Sequence, residues 1–217
     1  MRSLIRRPNA PWLFVGMAMA GFLIFGFAIG VLMLPPSEII GARLPDLTCL
    51  QVAFTPERYS NVFLSFSAAG QAAIRDLLVP GDIVFAWGYG FMLAGLTGLL
   101  AMRLPHQWQS IGALVMWAPL AASALDCIED VFLYAMAGQL LDNPMSAIAP
   151  ALPLLAGAAA LLKYTALAVI TPAFGVAGII KGMGVDRSIG ALVLYVVLGL
   201  LLFSMILRPL QQIPPCF

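Results

Sequence analysis

Apolar residues fall in five long runs separated by short polar breaks, and each run reaches the length of about 20 residues that a helix needs to cross a bilayer. The runs cover residues 11–34, 82–102, 111–136, 151–180 and 188–207. They predict an all-α, polytopic membrane bundle of about five transmembrane helices in a single membrane domain over residues 1–217. The fourth run is long: 30 residues would extend ~45 Å at helical rise. Thr171-Pro172 predicts a kink within it, because proline frees a carbonyl that a neighbouring hydroxyl can satisfy.

One segment has a different period. Tyr59, Val62, Phe63, Phe66, Ala73, Ile74 and Leu77 recur at three- and four-residue spacing, with Arg58, Ser60, Asn61, Ser67, Gln71 and Arg75 between them. Thr55, Pro56 and Glu57 form a helix start, and Pro80-Gly81 ends the pattern. One amphipathic helix over 56–78 is expected in the loop after the first span, at the interface or folded over the bundle.

Composition strengthens the membrane reading. Hydrophobic residues make up 62% of the chain and charged residues 10%, against ~45–50% and ~25% in soluble domains. A net charge of +1 supplies no basic field for nucleic acid, so membrane lipids are the expected partners. Basic residues set the orientation. With the N-terminus cytoplasmic, Arg2, Arg6, Arg7, Arg103, Lys181 and Arg187 lie inside, while Arg43, Arg58, Arg75 and Arg208 lie outside together with the C-terminus. The first run is too long, and lacks the small-x-small site, for a cleaved signal. An uncleaved anchor in a bacterial inner membrane is expected.

Against this background three acids stand out. Asp126, Glu129 and Asp130 sit at i, i+3 and i+4 inside the third run and so share one helix face. Each charge at bilayer depth costs at least ~2.5–3.5 kcal/mol, so the trio needs a partner, protons, a cation or water. Lys163 is the one basic residue inside a run, and with the third span leaving the membrane near Gly138 and the fourth entering near Ala151, Asp126 and Lys163 each lie 12 residues from the outer end. That places both ~18 Å deep. Asp82 opens the second run. Four acids against Lys163, with Arg75 as a further candidate, leave surplus negative charge that low dielectric does not tolerate.

The expected site is therefore an outward-facing polar crevice that binds a ligand or ion. Asp126 and Lys163 form its base, Asp82, Glu129 and Asp130 its mouth, and Tyr89 and Tyr134 its walls. The competing reading is an ion pair that only fixes helix packing.

Other chemistry has little support. Asp126-x-x-Glu129-Asp130 could hold a hard cation, but metal-dependent lipid enzymes usually present two acidic motifs, and the second here would be Asp82 alone. No catalytic residue, metal ligand or cofactor is assigned. His106 is a lone loop histidine. Phosphate-binding loops, serine elbows and Cys-x-x-Cys pairs are missing from the sequence. Gly26-x-x-x-Gly30 offers a small-residue ridge for helix packing. Cys49 and Cys216, both expected outside, could form a disulfide, whereas Cys127 reads as an apolar filler.

The order Asp82, Phe85, Tyr89, then the acidic stripe, then Lys163 resembles the layout of small bacterial polytopic membrane proteins over residues 55–165; the resemblance implies no activity. The leading expectation is a non-enzymatic membrane protein whose crevice binds or passes a small amphiphile, lipid or cation. An accessory subunit meeting other membrane subunits comes second, and a metal-dependent enzyme on a lipid head group third.

Overall fold

Backbone polar groups in lipid are satisfied inside helices or closed barrels. Every regular element among the described residues of this computed structural model, 7–43 and 46–211, is helical. Helix α1 (Ala10–Phe27) passes through a π-turn (Ala28–Met33) into α2 (Leu34–Ile40). Three short helices follow: α3 (Asp46–Gln51), α4 (Pro56–Leu64) and α5 (Ala68–Asp76). A second π-turn (Leu77–Asp82) leads into α6 (Ile83–Met102), and α7 (His106–Val115) adjoins α8 (Ala118–Asp142). Helix α9 (Ala151–Tyr164) enters a third π-turn (Thr165–Ile170) and continues as α10 (Thr171–Met183), before α11 (Ile189–Gln211).

Four stretches are long and apolar enough to cross a membrane: Ala10–Ile40, Ala68–Met102, His106–Asp142 and Ala151–Met183. The protein is thus a helical membrane protein. The fifth run gives α11, whose described apolar part, Ile189–Leu201, is shorter.

Proline explains the π-turns. Each of the three contains a proline or precedes one by a few residues: Pro35 and Pro36, Pro80, and Pro172. A proline removes one N–H and crowds the carbonyl four residues back. At the first and third turns widening the helix by one residue relieves both, whereas at the second the chain kinks at Val79, before Pro80. At the third turn the Thr171 hydroxyl donates to the Ala166 carbonyl at 2.8 Å. At the first, the run expected to stop at Leu34 continues to Ile40, because the prolines fall in the opening turn of α2, where an N–H has no intrahelical partner.

The single amphipathic helix expected over 56–78 is two helices. Thr55 starts α4 by accepting from the Arg58 N–H at 3.3 Å, and Ser67 starts α5 by accepting from the Gly70 N–H at 3.1 Å. Between them Ser65 turns its hydroxyl to the Val62 carbonyl at 2.6 Å. Serines offer the backbone an alternative to the helical ladder, and here they end one helix and begin the next. Arg43 secures the junction, donating to the Ser65 carbonyl at 2.7 Å and lying 4.0 Å over the Phe66 ring.

The chain divides into two compact units. In the first (residues 7–23, 88–122 and 164–211 among those described), helices meet at glycine. A Cβ on Gly21 would lie 2.2 Å from the Met92 nitrogen, and one on Gly95 would lie 2.5 Å from the Ala18 nitrogen. Backbones approach this closely only without side chains. Arg103 pairs with Asp186 in the same unit.

The second unit comprises residues 24–43, 46–87 and 123–163 among those described. Its apolar core joins Tyr59, Phe63 and Phe66 to Ile74, Leu133, Met136 and Leu140. The amphipathic segment is thereby buried in protein along its apolar side. Gly26 and Gly30, the expected ridge, have nothing within 4 Å of an added Cβ.

Candidate functional site

From Ala122 onwards the buried positions of α8 run Ala122, Ser123, Asp126, Glu129, Asp130, Leu133, Met136, Ala137 and Leu140, the three-four alternation of a core-facing helix. Acids occupy the middle of a stripe that is otherwise small or apolar. The stripe is pinned one turn before the first acid, where the buried Ser123 hydroxyl donates to the Ala86 carbonyl of α6 at 2.6 Å. Beyond the last acid, the Tyr59 hydroxyl of α4 donates to the Leu133 carbonyl at 3.0 Å. Burial pushes the Tyr59 phenol well above its usual range.

Lys163 enters from α9, at its penultimate residue, and is only 4% exposed. Its Nζ lies 2.5 Å from Asp126 Oδ1 and 2.6 Å from Glu129 Oε2. The contact with Asp126 is a hydrogen bond; the contact with Glu129 is a charge contact that lacks hydrogen-bond angles. Asp126 is 3% exposed, and Glu129 and Asp130 are fully buried.

Asp82 completes the group from the end of the second π-turn. Val79 leaves helical geometry there (φ −135°, ψ 118°), which sets the approach of the residues that follow. Asp82 is half-buried, and one carboxylate oxygen from each of Asp82, Asp126 and Asp130 lies within 4.8 Å of the other two. Neither oxygen of Asp130 has a hydrogen-bond partner. Carboxylates that face each other with no donor between them need a proton or a cation.

The charge count sharpens that need. Four carboxyls, Asp82, Asp126, Glu129 and Asp130, gather around one ammonium, leaving a surplus of three negative charges if all are ionised. Arg75, the other candidate counter-ion, lies 3.5 Å from Asp76, with both side chains well exposed.

Beside Asp82 lies a cavity of about 30 Å³, lined also by Gln51, Tyr59, Leu77, Leu78 and Leu133. That is room for one or two waters. Helices α3, α4 and α5 contribute to its walls together with the π-turn.

Five of the residues singled out in the sequence therefore meet: Asp82, Asp126, Glu129, Asp130 and Lys163. Tyr134 does not join them. It is 40% exposed, because each four-residue step overshoots a full helical turn by about 40° and two steps carry it off the stripe of Asp126. Tyr89 is buried in the other unit. Cys49 is disulfide-bonded and Cys127 is a free thiol. Cys216, the expected partner of Cys49, lies outside the described residues, as do Arg2 and Arg6. Ser123 was not anticipated, although its place three residues before Asp126 put it on the same stripe.

Compared with protein-family models, curated proteins and solved structures, the chain matches none.

Proposed function

We propose that this chain is a non-enzymatic membrane protein that binds or passes a cation, protons included, at the carboxylate cluster of its second unit. The observation that carries the reading is Asp130, a fully buried carboxylate with no hydrogen-bond partner, set against two further aspartates. Lys163 alone does not balance the group, so a mere packing ion pair leaves the surplus unexplained. The cavity beside Asp82 is water-sized, which favours an ion over the lipid or amphiphile that the sequence also admitted.

In this reading the chain sits in a bacterial inner membrane with its N-terminus cytoplasmic, and α11 is a fifth span ending outside. The loop after the first span, and the cavity it helps to wall, then face outwards. Ligand binding to the folded state raises the unfolding midpoint. In mild detergent, the midpoint is expected to move with pH or with one of Na⁺, K⁺, Mg²⁺ and Ca²⁺, and Asp130→Asn is expected to remove that response. A midpoint indifferent to pH and to all four ions overturns the reading.

A further inference from the structure

We infer that the cation held at the cluster is a hard divalent ion of the size of Ca²⁺, bound through one carboxylate oxygen from each of Asp82, Asp126 and Asp130. This rests on the cation reading above and narrows it. Donor chemistry comes first: all three ligand atoms are carboxylate oxygens, and no histidine or cysteine belongs to the group. Oxygen-only sets select hard cations over zinc or copper.

Size comes second. Oxygens bind Ca²⁺ at roughly 2.3–2.6 Å, so two ligands on opposite sides of the ion stand about 4.6–5.2 Å apart; for Mg²⁺, at roughly 2.0–2.1 Å, the limit is about 4.2 Å. The three oxygens lie within 4.8 Å of one another, inside the span that Ca²⁺ bridges. They can therefore share a Ca²⁺ ion where they stand, and its adaptable geometry asks less of three fixed ligands than the octahedron that Mg²⁺ demands. Mg²⁺ also gives up its own waters reluctantly, a further handicap in a site this enclosed.

Charge comes third. Against a surplus of three, a monovalent ion leaves two negative charges in a buried site, and a divalent ion leaves one, which a single proton covers. The unpartnered oxygens of Asp130 and the ordering of Asp82 by the π-turn are what such an ion would use. Ca²⁺ takes six to eight oxygens, and water in the cavity beside Asp82 could supply part of the remainder.

Isothermal titration of Ca²⁺ and Mg²⁺ into the full chain, purified in mild detergent, tests this. One saturable Ca²⁺ site is expected, at least about tenfold tighter than any for Mg²⁺. Asp130→Asn should weaken it at least tenfold while elution volume and helix content stay as in the parent. Asp142→Asn, at the exposed end of the same helix, should leave it unchanged. If Asp130→Asn does not fold, Asp82→Asn, at a half-buried position, is expected to show the same loss. The inference is overturned if neither ion binds saturably, if binding survives the aspartate change, or if Mg²⁺ binds as tightly as Ca²⁺. Should pH, Na⁺ or K⁺ shift the unfolding midpoint through Asp130 while no divalent ion binds, the divalent inference falls and the cation reading stands.

Discussion

The two units are built from parts of the same helices and held by opposite means. In the first, α1 and α6 meet backbone to backbone at Gly21 and Gly95, and the Arg103–Asp186 pair is partly exposed. In the second, the middle of the α8 stripe holds buried charge: three acids on α8, one at the foot of the π-turn and a single lysine. Close glycine contacts have one good geometry and do not depend on what the solution contains. Buried unbalanced charge does, since its cost changes with every proton or ion it gains. A helix can thus be fixed along one part of its length and responsive along another.

Three changes would break or sharpen that contrast. The largest effect is expected from Lys163→Met, which leaves Asp126 and Glu129 without their ammonium and should cost ~3–5 kcal/mol. Pairing it with Asp126→Asn should recover part of the loss. Unfolding midpoints for the two single variants and the double variant check this, and strict additivity would mean that the pair does not interact.

Gly21→Ala comes next. Its methyl group would meet the backbone of Met92, so helices rather than a side chain must move, at ~1–3 kcal/mol. The same midpoint measurement should find this loss additive with Asp126→Asn, since each acts in its own unit; marked coupling would erase the contrast drawn above.

The smallest effect concerns Asp186. The Ser188 N–H, donating at 2.9 Å, and then the Arg103 guanidinium hold its carboxyl below the usual carboxylate range. A lowered folded value means that the contribution is fully present above the ordinary pKa of about 3.9 and is lost as pH falls through the lowered one. Wild type should therefore show an acid step in midpoint below about pH 4 that Asp186→Asn lacks. The step should be slight, because the group is exposed.

Much of the site was legible in the sequence, and the reasons are geometric. Residues at i, i+3 and i+4 share a face whatever surrounds them, and a depth of 12 residues pointed from Asp126 to Lys163, although α8 runs on to Asp142, four residues past the exit which that depth assumed. Tyr134 was misjudged because 3.6 residues per turn is not 4, and the discrepancy doubles over two turns. Proline at 172 was readable as a break in the hydrogen-bond ladder, but its repair by a widened turn was not, since the sequence alone does not tell a kink from a π-turn. The division of the amphipathic segment at Ser65–Ser67 turned on local hydrogen bonds to Val62 and Gly70. A hydrophobic period is blind to such bonds.

The π-turn at Thr165–Ile170 has a consequence for how this chain can vary. A π-turn carries one residue more than the α-ladder would, and each residue advances a helix by about 100°. The wider turn absorbs that residue, so the positions after it, among them Gly178, where an added Cβ would lie 2.6 Å from Leu100, keep the phase of an unbroken helix one residue shorter. Removing one residue between 165 and 170 would restore an unbroken α-ladder and leave every later position where it stands, Gly178 still against Leu100, whereas removing one from the α-ladder after the turn would swing the positions beyond it by about 100°. Many single replacements in this stretch keep the count and leave the phase intact. Length can give way by one residue here, where elsewhere in the helix it cannot.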